Sequence, residues 1–281
     1  MIIAEGRGAW WNSYGSVPLD KCVQRAVDAK LRFVIVKWGR PDVETAFTKA
    51  DSPFLVERYV LYSQPEVEGQ RLANAVDVGA VAAVINAEEG GDEQSGGHWE
   101  RDTDGSAMRR LIAAFRIRHP TVELYASVDT RGNRLSLPYQ RVLAQHIAGW
   151  LPMIYPLAFY PDRLPGFIAH AFEQSLDGKD FGGIPVLPTI QTYDAIGGQA
   201  VRDQLAEIER RHLPGCQAYT IAHATDEEWA EFILGDDDMT AAERQELAVL
   251  RMLRDLEKVL AASDLQLLSN KLAAIGVRPT V

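Results

Sequence analysis

Short runs of apolar and β-branched residues recur along the chain, separated by longer stretches patterned as helices. The runs are GAWW from Gly8, FVIVKW from Phe33, RYVLYS from Arg58, AVAAVINAE from Ala80, VELYAS from Val122, LPMIYP from Leu151, IPVLPTIQT from Ile184 and CQAYTIA from Cys216. Each is apolar almost throughout instead of alternating with polar positions, which is the pattern of a parallel strand buried on both faces. Their starts lie about 22 to 42 residues apart, room for a strand, a helix and two connections.

The intervening stretches carry helix signals. Ser63, Pro65 and Glu66 open one helix, and Thr225 with Glu228 forms a capping box that opens another. Leu111, Ile112 and Phe115 mark one buried face, and Val201, Leu205 and Ile208 mark a second. Eight strand–helix units of this size predict an α/β fold, a (βα)8 barrel from about Gly6 to Gly235. The alternative, an open doubly wound sheet, calls for a glycine-rich phosphate turn after the first strand, and WWNSYGSVP has none.

After residue 235 the pattern changes. Asp236, Asp237 and Asp238 read as an acidic linker, and Thr240 with Glu243 opens a helical segment that runs to about Ile275. Val249, Leu253, Leu256, Leu260 and Leu267 fall on a heptad seam interrupted by Ser263 and Asn270. The chain therefore divides into a barrel at 1–235 and a C-terminal extension at 236–281. Docking on its own barrel and self-association are both open to that extension.

Composition narrows the partners. The sequence holds 281 residues, 47% hydrophobic and 24% charged, enough apolar material for a large core. A net charge of −10 argues against a phosphate-binding surface, so nucleic acid is not an expected partner. No apolar run reaches the roughly 18 to 20 residues of a membrane span, and MIIAEGRGAWW lacks the basic and apolar regions of a signal peptide. Synthesis in the cytoplasm and no membrane partner are the expectations. Cys22 and Cys216 read as two buried thiols.

In a barrel of this kind chemistry sits at the C-terminal ends of the strands. The residues placed there include Trp10, Trp11, Asn12 and Tyr14, then Lys37 and Trp38, then Tyr62 and Gln64. Asn86, Glu88 and Glu89 follow the fourth strand, and Ser127, Asp129 and Arg131 the fifth. Tyr155 and Tyr160, then Gln191, Tyr193 and Asp194, and finally His223 complete the set. VINAEEGGD is the most informative segment, because an apolar strand running into two carboxylates sets ionisable groups beside a low-dielectric core. With a period of two, Asn86 and Glu88 share one side of the strand.

The segment GGDEQSGGHWERDTDGS exceeds the usual length of a structureless connection and reads as a binding loop. Its Asp92, Glu93, Asp102 and Asp104 lack EF-hand spacing and are expected to be solvated charge. Neither a metal nor a cofactor is expected. Trp10, Trp11, Trp38 and Trp99 cluster at the predicted mouth, where flat rings with a polar edge suit a sugar, and Tyr193 and Asp194 are expected to face the same ligand.

The order of these features resembles the glycoside hydrolase family 25 lysozymes. WWNSYGSVPLDKCVQRAVDAKLRFVIVKWG resembles the opening of that family, and RYVLYSQPEVEGQRLANAVDVGAVAAVINAEEG is similar to the stretch that leads into its acidic Asp-x-Glu motif. LYAS and the tyrosine of PMIYP continue the likeness, the latter also resembling chitinase-like barrels. A glycosidase-like barrel of the kind carried by phages and actinobacteria fits equally well, and so implies a virion-associated component.

Asn86 stands where the family has the first Asp, and the first strand ends in Trp10, Trp11 and Asn12 instead of an acid. Glu88 alone carries over. Hydrolysis of a glycoside needs a proton donor and a second group acting as nucleophile, base or orienter of an acetamido group. Glu88 is the expected acid, kept protonated by its apolar strand. Asp129 and Asp194 are available for the second role, and Asn86 with Tyr155 could instead hold the acetamido group. Two functions follow: a hydrolase of an amino-sugar, cell-wall type polysaccharide, or a non-catalytic barrel that binds a glycan or a protein and assembles through its C-terminal helix.

Overall fold

The apolar runs become eight strands, β1 (Gly6–Trp11), β2 (Phe33–Lys37), β3 (Phe54–Tyr59), β4 (Ala82–Asn86), β5 (Leu124–Val128), β6 (Gly149–Ile154), β7 (Thr189–Gln191) and β8 (Gly215–Tyr219). They pair in parallel in chain order, and β8 closes on β1. Helices α1 (Leu19–Asp28), α2 (Pro41–Lys49), α3 (Pro65–Asp77), α4 (Ser106–Arg116) and α5 (Pro138–Leu143) cover the first five strands. Helices α6 (Pro156–Phe159), α7 (Phe167–Leu176), α8 (Gly198–Arg210) and α9 (Asp226–Leu234) complete the ring. This computed structural model describes residues 4–12, 15–37, 40–50, 53–87 and 97–234, and within them the predicted (βα)8 barrel is present. The expected linker and C-terminal helix at 236–281 lie outside the described residues.

Two cores follow from the period of two along each strand. Trp10, Phe33, Ile35, Leu55, Val84, Tyr125 and Leu151 point inward and fill the barrel. Their neighbours Ala9, Trp11, Val34, Val36, Val56, Ile85 and Ala126 point outward and meet the helices. Gly8 lies inside because the Phe33 ring takes the space of its side chain: a Cβ there would sit 2.2 Å from Phe33. On the helix layer, Val201, Leu205, Ile208, Leu111, Ile112 and Phe115 are buried as their spacing predicts.

Two strands sit elsewhere than the apolar runs suggest. The third strand was expected from Arg58 but spans Phe54–Tyr59. The run continues past the strand because Val60 is buried beneath Trp99, whose indole nitrogen donates to the Val60 carbonyl at 2.8 Å. The seventh was expected from Ile184 but begins at Thr189. Pro185 and Pro188 carry no N–H for the ladder, leaving only a lone bridge between Val186 and Trp150 before it.

The capping box at α9 forms as read. The Glu228 N–H donates to Thr225 Oγ1 at 3.1 Å, and the Thr225 N–H donates to Glu228 Oε2 at 2.8 Å. Asp102, expected to be solvated, is instead buried beside the first turn of α4 and accepts the N–H groups of Ala107 and Met108 at 3.2 and 3.0 Å. A carboxylate at a helix N-terminus gains both those bonds and the dipole. No group of three or more potential metal ligands occurs among the described residues, and none of their helices is long and apolar enough to cross a membrane.

Candidate active site

The inward positions at the C-terminal strand ends change from aliphatic to polar and aromatic. Beyond Ile35, Leu55 and Val84, the next inward residues are Lys37, Glu57 and Asn86, and β5 adds Ser127. Lys37 is the register partner of Glu57, and Asn86 that of Ser127. Together with Trp10, Asn12, Met153, Tyr155 and Tyr219 they line a cavity of about 230 Å³.

One side of this mouth is aromatic. Tyr219 lies 5.7 Å from Trp10, 5.3 Å from Tyr155 and 5.7 Å from Tyr193 between ring centroids, and Tyr155 meets Tyr193 edge-on at 5.7 Å. Asn12 Nδ2 reaches the Tyr219 hydroxyl at 3.4 Å. Burial, then the charge of Asp194 and the neighbouring Tyr219, push the Tyr193 phenol up to about 12, so it stays protonated at neutral pH.

Two residues of the cavity lining carry a buried polar atom without a partner. Trp10 Nε1, a donor, and Asn86 Oδ1, an acceptor, are buried with no hydrogen-bond partner. Buried polar groups are normally satisfied, so each of these two atoms departs from the rule.

Gln191, fully buried, braces this wall. Its Oε1 accepts the Leu157 N–H at 2.9 Å, and its Nε2 donates to the Tyr193 carbonyl at 3.4 Å. Gln204 of α8 holds the Gln191 backbone from behind, with an N–H and a C=O contact of 2.9 Å each. The start of α6 after Tyr155 and the segment bearing Tyr193 are thereby tied to one strand.

A second cavity of about 360 Å³ adjoins the first across Met153 and Tyr155, and is lined by Asp129, Arg131, Arg134, Tyr139, Gln140 and Phe159. Arg131 binds Asp129 through two nitrogens, the shorter contact being 2.7 Å, and its guanidinium lies 3.7 Å from the centre of the Phe159 ring. Arg134 also donates to Asp129. Burial pushes the Asp129 carboxyl up, but the hydrogen bonds and charge of Arg131, helped by Arg134, outweigh it and hold Asp129 below the usual carboxylate range.

The expected site residues therefore separate. Trp10, Asn86 and Tyr155 meet in the first cavity, and Asp129 lines the second. Tyr193 joins the aromatic wall, whereas Asp194 is exposed in a left-handed turn at the rim. Trp11 touches the cavity, but its ring belongs to the strand–helix layer under the Arg40 guanidinium, 4.8 Å away. Trp99 does not reach the mouth: it is 0% exposed, wedged between Tyr62 and Tyr139, because the return from the β4 loop needs an apolar anchor. Glu88, Glu89, Trp38 and Tyr14 lie outside the described residues.

Glu57 and Tyr219 are site residues the sequence reading missed. Starting the third strand at Arg58 left Glu57 out of the barrel, although its alternation with Leu55 in FLVERY carries the signal. The eighth apolar run, CQAYTIA, reads through to Ala222 with His223 after it, whereas the strand ends at Tyr219.

No family model matches the sequence, and no curated protein is similar to it. Solved structures are. A chitinase from Chromobacterium violaceum ATCC 12472 superposes with a TM-score of 0.54 at 13% identity, over 82% of this chain and 98% of its own. The barrel shares its fold with chitinases. The Bacillus cereus spore cortex-lytic enzyme SleL gives a TM-score of 0.54 at 8% identity, covering 82% of this chain and 73% of that one. A class V chitinase from Nicotiana tobaccum, a glutamate-to-glutamine variant in complex with NAG4, gives 0.52 at 9% identity over 81% of this chain and 99% of its own. At such identities the likeness concerns the fold, and chemistry has to be argued from the site.

Proposed function

We propose that the barrel mouth binds an amino-sugar polysaccharide of the chitin or cell-wall type and hydrolyses it, with Glu88 as the general acid. The observation that carries this reading is the orphaned pair in the first cavity: a secondary amide offers one C=O and one N–H, the complement of Trp10 Nε1 and Asn86 Oδ1. An N-acetyl group on a sugar is such an amide, and the rings of Trp10, Tyr155 and Tyr219 suit the apolar faces of the sugar that bears it. The fold shared with a chitinase and with a class V chitinase in complex with NAG4 supports the same substrate class. Glu88 stands two residues beyond Asn86 in the sequence, the spacing of the Asp-x-Glu motif that the sequence resembles.

In this mechanism Asn86 and Tyr155 hold the acetamido group, and Glu88 protonates the glycosidic oxygen. Asp129, kept ionised by its arginines, serves the adjoining cavity, where the next sugar of the polymer would lie. Tyr193 and Asp194 border the ligand at the rim, with Trp38 as a further stacking residue. Self-association through the segment after Thr240 and a place in a phage particle rest on the sequence pattern and resemblance.

The test is calorimetric binding of (GlcNAc)4 against its deacetylated counterpart, with reducing-end release measured for wild type and Glu88→Gln. Binding that needs the acetyl groups, and turnover lost in Glu88→Gln with binding kept, supports the reading. Equal affinity for the two oligomers overturns it. One observation favours a second reading: Asp129 is held by two arginines. A wild type that binds (GlcNAc)4 and releases nothing is then a non-catalytic glycan-binding barrel.

A further inference from the structure

Glu57 is a carboxylate that folding alone does not call for. It is 4% exposed, on an inward position of β3 one step above Leu55, with Lys37 of β2 and Val84 of β4 as its register partners. A buried carboxylate at such a place gives no more stability than an apolar side chain of similar size, because desolvation offsets what its partners return. Glu57 is also the one carboxylate among the described residues lining the first cavity, which it shares with Asn86 and Tyr155. Polar and aromatic residues that line the cavity with it include Lys37 from β2, Asn86 above Val84 on β4, and Tyr155 and Tyr219.

We infer that Glu57 is the second carboxylate of the site and supplies the negative charge that Asn86 lacks. This rests on the hydrolase reading above. When the Glu88 proton passes to the glycosidic oxygen, the bond from that oxygen to the anomeric carbon breaks, and its electron pair stays on the leaving hydroxyl. Positive charge then spreads over the anomeric carbon and the ring oxygen, and a fixed anion in a low-dielectric wall stabilises it without reorganisation. Water adds to the anomeric carbon and returns a proton to Glu88, which completes hydrolysis. Lys37, its register partner on β2, lines the same cavity.

The experiment measures kcat and KM for (GlcNAc)4 hydrolysis with wild type, Glu57→Gln and Glu57→Ala, with thermal unfolding of each. Glu57→Gln should lower kcat by about 100-fold or more with KM little changed. Sodium formate should restore part of the turnover of Glu57→Ala, and sodium chloride at the same ionic strength should not, a response that a purely structural residue would not show. Wild-type turnover in either variant, loss without formate rescue, or failure of both variants to fold overturns the assignment of Glu57 alone. Wild type that binds (GlcNAc)4 without turnover overturns the hydrolase reading, and Glu57 with it, before any variant is made.

Discussion

Replacing Trp99 separates a core tryptophan from a ligand-binding one. Its ring is fully buried, 5.9 Å from both Tyr62 and Tyr139, and its Nε1–H satisfies the Val60 carbonyl at 2.8 Å. Truncation of a buried aromatic costs about 3–5 kcal/mol, since the lost transfer energy adds to a cavity that the surroundings only partly fill. For a protein of this size that corresponds to a fall in Tm of roughly 6–20 °C. Trp99→Phe keeps most of the apolar contact but strands the Val60 carbonyl, and should cost about 1–3 kcal/mol. The assay is urea and thermal unfolding followed by near-ultraviolet circular dichroism, with (GlcNAc)4 binding measured well below each transition. Folded Trp99→Phe should bind like wild type. A Trp99→Ala protein within about 1 kcal/mol of wild-type stability, or a stable Trp99→Phe that has lost glycan binding, would refute the placement of this ring in the core.

Trp10 should behave in the opposite way: Trp10→Phe removes a donor that has no protein partner and costs only the apolar volume it takes from the barrel, so Tm should fall less than for Trp99→Phe while (GlcNAc)4 binding, read by calorimetry, weakens about fivefold. Asp129→Asn should destabilise the barrel at pH 7 by about 1 kcal/mol, the arginines being well exposed. Because the folded carboxyl is held below its ordinary value of 3.8, that stabilisation is full above 3.8 and is lost as pH falls through the folded value. Urea unfolding from pH 7 down to pH 2 should therefore show the two proteins converging at the acid end. Burial pushes the Cys22 thiol up to about 11, and Cys216 is equally enclosed. Ellman's reagent at pH 8 should label neither cysteine until the protein is unfolded, and rapid labelling of the native protein would contradict their burial.

Much of the architecture was legible because its cues are local. Each apolar run reports burial on two faces, each spacing leaves room for a helix, and the Thr225 and Glu228 pair announces its capping box within four residues. Strand limits were less legible, for two different reasons. Pro185 and Pro188 interrupt a ladder without interrupting hydrophobicity, and Val60 prolongs an apolar run in a loop that packs beneath Trp99. That four-residue displacement of the third strand hid Glu57.

The sequence by itself determined the barrel and the end of it that carries the candidate site, since strand period, helix caps and the polar residues that follow each apolar run are properties of neighbours along the chain. Only the tertiary structure decided which aromatic residues serve that site. Trp10 and Trp11 are adjacent and chemically identical, yet one residue of register turns the first into the barrel and the second toward the helices. Trp99 is withdrawn by Val60, thirty-nine residues before it, and by Tyr139. Orientation and pairing of this kind depend on which segments close against each other in space, and no local pattern records that.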